Sequence, residues 1–130
     1  MLDKVAYWLN LADDDVSVVK LLLKGNKYPQ AGFFCHLIVE KSLKAVIANN
    51  SEEMPPRTHD LLKLAHRGSI FDILNENQKI FLEELNPLNI EARYPSYKEN
   101  ISKILSAEKM KILFKETEDF LCWIKQQLER

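Results

Sequence analysis

The stretch Ala31-Gly32-Phe33-Phe34-Cys35-His36-Leu37-Ile38-Val39-Glu40-Lys41-Ser42-Leu43-Lys44-Ala45-Val46-Ile47-Ala48 is apolar on almost every side when wound as a helix. A helix without a polar face must be covered from several directions. The segment is therefore expected both at the centre of a helical bundle and in a subunit interface. Pro29, after Tyr28, is tolerated near a helix start, so the helix is expected from there to about Ala48.

Upstream, Val5, Trp8, Leu9, Ala12, Val16, Val19, Leu22 and Leu23 recur at three- and four-residue spacing, which predicts an amphipathic helix over Asp3–Lys24 closed by Gly25-Asn26. Downstream, Asn49 to Pro56 reads as a polar, proline-ended loop. Thr58 is then expected to cap a short helix carrying Leu61, Leu62, Leu64 and Ala65 that stops near Gly68. Asn75 with Gln78 predicts a capping box for a fourth helix whose buried stripe is Ile80, Phe81, Leu85 and Leu88, with Pro87 helping to end it. Ile90 to Leu105 has no clear period and holds Tyr94, Pro95 and Tyr97, so it is expected to be a functional loop. Ser106 caps a last helix with Leu113, Phe120, Ile124 and Leu128 on one face and Trp123 beside them. With only three glycines and no strand-type alternation, the fold class is all-α. The expected architecture is a four- to five-helix up-and-down antiparallel bundle in one domain spanning residues 1–130.

The 130 residues, 46% hydrophobic and 28% charged, fall in the globular range and exclude a disordered chain. Eighteen basic against nineteen acidic residues give a net charge of -1, so no global field draws the protein to nucleic acid or anionic lipid, and phosphate contacts would need a local patch. Cys35 and Cys122 lie in apolar stretches without ligand-like spacing and are expected as reduced core residues. The first residues lack an export-signal pattern and no apolar run is long enough to span a bilayer, so a cytoplasmic location without membrane contact is expected. There is no glycine-rich phosphate loop, nucleophile elbow or zinc signature. Neither a metal nor a cofactor is expected.

His36-Leu37-Ile38-Val39-Glu40-Lys41-Ser42-Leu43-Lys44-Ala45, then Thr58-His59-Asp60-Leu61, then Glu91-Ala92-Arg93-Tyr94-Pro95, occurring in this order between a first helix and a closing one, resemble the HEPN family over essentially the whole chain. The resemblance implies a four- or five-helix bundle, commonly dimeric, often encoded beside or fused to a small nucleotidyltransferase. It also implies that some members are metal-independent ribonucleases using an Arg followed, after four to six residues, by His. Here Arg57 stands two residues before His59 and too far before His66, no Arg precedes His36, and no His follows Arg67 or Arg93. Without that spacing a base and a phosphate-stabilising cation do not share a face by sequence alone.

Several residues stand out as candidate site groups, each with a plainer alternative. Arg93 could grip phosphate and Tyr94 stack on a base, or Arg93 could pair with Glu40 or Glu91 while Tyr94 packs on the bundle end. His59 and Asp60 begin a helix and could form an anion site, or simply cap it. His36 and Glu40, four apart, suit metal ligands in spacing but read better as a buried hydrogen-bonded pair. Lys41 and Lys44 could meet phosphate, or solvent and Glu40. Asp13, Asp14 and Asp15 point about 100° apart and cannot converge, so they are expected to form an exposed face. Trp8, Phe34, Phe81, Phe120 and Trp123 are expected in the core.

The expected function is a non-catalytic HEPN-type module. It would bind a nucleotide or polynucleotide, or serve a separately encoded nucleotidyltransferase as substrate-docking or toxin–antitoxin partner, as a homodimer through the second helix. Arg93, His59, Tyr94, Tyr97, Lys41 and Lys44 would contact the ligand, with Glu40 and Asp60 orienting. One alternative is a divergent ribonuclease or toxin using His59 and Arg93. Another is a structural subunit of a heteromer.

Overall fold

The computed structural model describes residues 3–91 and 105–129. Among them are five α-helices longer than one turn: α1 (Asp3–Lys24), α2 (Tyr28–Asn50), α3 (Leu61–Arg67), α4 (Glu76–Leu85) and α6 (Ala107–Leu128). A single turn, α5 (Leu88–Glu91), and a 3-10 turn at Phe71–Ile73 complete the set, and the described residues contain no strand. The packed all-α bundle is thus the one the apolar periodicity predicts.

α2 is its centre, packing on α1, α3, α4, α5 and α6. Its buried residues, from Ala31 through Ile38 and Leu43 to Ala48, include all the polar groups between Ser42 and Lys44. Past Tyr28 and Pro29 at its start, what remains half-exposed is one strip, Gln30, Phe33, Phe34, Leu37 and Lys41. α1 lies antiparallel to α2: Lys4 near its start donates to the Ser51 carbonyl at 2.7 Å, and Asp15 in its middle meets Lys41. α6 brings Thr117 beside Cys35 of α2 and ties to α1 through Lys125 and Asp13 at 2.7 Å. Ile38, Leu43, Leu61, Leu64, Leu82, Leu85, Met110 and Ile124 are completely enclosed. Each such side chain contributes roughly 1.5–3 kcal/mol.

Gly32 is where the first turns of α2 admit neighbours. A Cβ there would meet Leu105 Cδ1 at 2.9 Å and Leu88 Cδ1 at 3.3 Å, so its absence seats both leucines at the price of weaker helix propensity.

The helix ends refine the sequence reading. α1 closes with Asn26, not Gly25, in the left-handed region at φ 56°, and the Lys27 amide reaches back to the Leu22 carbonyl at 2.9 Å. α3 closes the same way: Ser69, not Gly68, has φ 57°, and Ile70 N donates to Ala65 O at 3.0 Å. Asp60, not Thr58, caps α3, accepting from the Leu62 and Lys63 amides. Thr58 instead accepts from Asp60 N at 3.1 Å. The capping box at Asn75 and Gln78 is present, as is the Ser106 cap of α6.

Three core expectations are corrected. In α4, Leu82 is fully buried while Ile80 is 48% exposed, because α4 turns its Phe81 side toward Phe120 and its Leu82 side toward the bundle centre. Cys35 is buried, with its thiol pushed up to about 12 by desolvation, but Cys122 is exposed and both are free. Phe81 and Phe120 are in the core, whereas Trp8, Phe34 and Trp123 are only partly buried against it. No helix among the described residues is long and apolar enough to cross a membrane.

Candidate functional site

The polar residues of α2 assemble around one carboxylate. Glu40, 4% exposed, receives Lys44 Nζ at 3.2 Å and His59 Nδ1 at 2.9 Å, and His36 Nδ1 stands 3.6 Å away. A charge this deep is tolerated only when paired. The Glu40–Lys44 pair runs in the favourable direction along the helix, and Lys44 also lies 5.5 Å from the centre of the Trp8 ring.

His36 is wholly enclosed, and among the described residues neither of its ring nitrogens finds a hydrogen-bond partner. The expected hydrogen-bonded His36–Glu40 pair is therefore a close approach and not a bond. Burial pushes the imidazole down to about 4, overriding the opposing influence of Glu40 and of the nearby His59 backbone and Asn86 side chain. His36 is neutral at pH 7. His59 differs: its side chain is 45% exposed. A carboxylate only accepts, so His59 donates to Glu40 through Nδ1–H.

The chain around His59 is locked by Asp60 and Asn86. Asp60 Oδ1 accepts from Leu62 N at 3.0 Å, Lys63 N at 3.3 Å and Asn86 Nδ2 at 3.2 Å. Asn86 Oδ1 in turn accepts from Leu61 N at 2.9 Å. This clamp ties the start of α3 to the end of α4. It also fills the first-turn amides of α3 with the protein's own carboxylate, so the capping role of Asp60 holds and the anion role does not.

His59, Asp60, Asn86, Pro87 and Asn89 line a hollow of about 490 Å³, within the roughly 300–1,000 Å³ of small-ligand sites. Asn89 is 5% exposed, and its side-chain oxygen has no hydrogen-bond partner among the described residues. Among the described residues the lining holds one imidazole and one carboxylate, with no Lys or Arg.

The structure brings together His59, Asp60, Glu40 and Lys44. It places Lys41 elsewhere, paired with Asp15, and Lys44 is not solvated but buried at 8% exposure. Both lysines are held by carboxylates of the same molecule. Asp15 is likewise 8% exposed, so the exposed face expected at 13–15 divides: Asp15 faces α2 and Asp13 faces α6. Arg93, Tyr94 and Tyr97 lie outside the described residues. Asn86 and Asn89 were missed in the sequence; their one signal is a pair of amides flanking Pro87 at a helix end, a pattern shared with ordinary turns.

Chemically, a half-exposed imidazole fixed by a buried carboxylate can bind a polar ligand in one orientation or take a proton from one. The described residues bring no three His, Cys, Asp or Glu groups together to hold a metal ion. A family model described as HEPN domain matches residues 5–127. No curated protein and no solved structure matches the chain.

Proposed function

Since the chain belongs to the HEPN domain family, we propose that it is a non-catalytic HEPN-type module that binds a nucleotide or polynucleotide in the hollow beside His59. The observation that carries this reading is the pairing of His59 with buried Glu40 at 2.9 Å, at the edge of a cavity whose wall includes the unsatisfied Asn89 carbonyl oxygen. His59 would contact the ligand, Glu40 would orient His59, and Asp60 would hold the start of α3. Arg93 would supply the phosphate contact that the described lining lacks, and Tyr94 and Tyr97 the stacking surfaces. In the cell the module would serve a separately encoded small nucleotidyltransferase, as docking subunit or toxin–antitoxin partner. It would do so as a homodimer through the half-exposed α2 strip at Phe33, Phe34 and Leu37. Isothermal titration with ATP, GTP and a short RNA tests the binding. Saturable heat that falls at least about tenfold in affinity in His59→Ala and Arg93→Ala is expected, and absence of binding at millimolar ligand would defeat it.

The same Glu40–His59 contact favours a second reading, a ribonuclease in which His59 is the base and Arg93 its cationic partner. An imidazole oriented by a carboxylate is the usual form of such a base. Incubation of the pure protein with total RNA decides this: cleavage lost in His59→Ala and in Arg93→Ala supports it, and cleavage that survives both changes rejects it.

A further inference from the structure

α4 and α6 meet through Phe81 and Phe120, whose ring centres lie 5.8 Å apart, and the seam between the two helices is open. Two adjoining hollows, of about 170 and about 480 Å³, share Glu116 and run from the Phe81–Phe120 contact past Leu113 to Leu88. From Lys109 to Phe120 the α6 wall spans about 16 Å, three turns of helix. One apolar side chain of its lining stands out to solvent: Ile112 is 61% exposed.

The charges along this seam are unbalanced. Glu84 and Glu116 face one another across it, and Glu116 has its carboxyl raised first by burial and then by Glu84 and Asp119. Among the described residues neither Glu84 nor Glu116 makes an ion pair, while Asp119 is engaged by Lys115 at 2.8 Å. Lys109, at the far end, is the single cation among the described lining residues of the two hollows. An acidic middle repels nucleic acid and other anions. An apolar floor three turns long with the exposed Ile112 on its rim fits the apolar stripe of a helix.

We infer that the α4–α6 groove is a docking site for a basic amphipathic helix of a partner protein, with its apolar stripe over Phe81, Leu113 and Phe120 and its Lys or Arg side chains over Glu84 and Glu116. The inference is independent of the reading of the His59 hollow. The partner's cations would supply the counter-charges that Glu84 and Glu116 lack among the described residues, giving specificity and a salt-dependent association.

The test is amide chemical-shift mapping of the full-length, isotope-labelled protein. The probe is a designed 15-residue helix with a leucine stripe flanked by lysines; the control keeps the stripe and replaces the lysines with glutamates. Shifts confined to residues 77–88 and 109–120 are expected, with the lysine probe binding about tenfold tighter than the control. Glu84→Lys/Glu116→Lys should reverse that preference, and Ile112→Glu, at a largely exposed position outside the core, should weaken both probes. Shifts elsewhere, equal binding of the two probes, or unchanged affinity in Ile112→Glu would overturn the inference. So would a self-associated chain that Ile112→Glu turns monomeric, since the occupant would then be a second copy.

Discussion

At the scale of the residue, the two histidines nearest Glu40 show how enclosure separates like groups. His59 keeps an exposed edge and a 2.9 Å contact with the carboxylate, whereas His36, one turn before Glu40, has no exposed surface and, among the described residues, no bonded nitrogen. With its folded value depressed to about 4 against an ordinary value near 6.5, His36 binds a proton more readily in the unfolded chain. Between pH 6.5 and 4 the unfolded state therefore holds more protons, and the protein loses stability as pH falls through that window, by up to roughly 3 kcal/mol. Glu40, Lys44 and His59 surround the same point, so the effect of His36 must be isolated by substitution. His36→Leu, which fills the space without a titrating ring, should raise the urea midpoint at pH 5 more than at pH 7. Equal changes at the two pH values would show that His36 does not carry the acid sensitivity. The sequence revealed that His36 and Glu40 share a face, because four-residue spacing fixes that. It left the group that Glu40 orients open between Arg93 and His59, nineteen residues away, because pairing between helices depends on how their ends dock.

At the scale of the element, α3 is seven residues long, too short to persist without its ends being held. Asp60 and Asn86 hold one end, and the left-handed Ser69 turn closes the other. Asp60→Ala should cost about 1–2 kcal/mol in chemical denaturation, and Asp60→Asn, which keeps a capping oxygen, should recover most of the loss. An unchanged midpoint in Asp60→Ala would mean that Asn86 alone secures α3. Ser69→Gly should stabilise the protein by about 0.5–1 kcal/mol by relieving the left-handed side chain; a lower melting temperature would contradict this. Helix existence was legible here from the leucine spacing, but the cap was not. Thr58, His59 and Asp60 offer two capping side chains within three positions, and only the path of the chain into α3 chooses between them. In the same way, α4 presents Ile80, Phe81 and Leu82 consecutively, and a helix touched from two sides buries whichever two its neighbours reach. The glycines at 25 and 68 suggested the turn positions to within one residue, since the left-handed residue follows each of them.

At the scale of the whole molecule, the apolar run of α2 dictates a central helix, and the remaining helices cover all but a half-exposed strip of it, so that Glu40, Lys41 and Lys44 pair inside the protein. Lys41 and Lys44, candidates for a phosphate in the sequence, are consumed by that demand, pairing with Asp15 and Glu40. Composition gave no warning, because a balance of 18 basic and 19 acidic residues is silent about which of them pair. Besides the α4–α6 groove, the described residues leave a second hollow at the end where α3 and the α4–α5 junction meet His59. The account stands or falls on whether a nucleotide enters there. Titration of the isotope-labelled protein with ATP and with a short RNA, followed by NMR of the His59 imidazole and the backbone amides, tests this directly. The account predicts saturable shifts centred on His59, Asp60, Asn86 and Asn89, abolished by His59→Ala. Saturable shifts that leave those residues unmoved, or no shift at millimolar ligand, would contradict it.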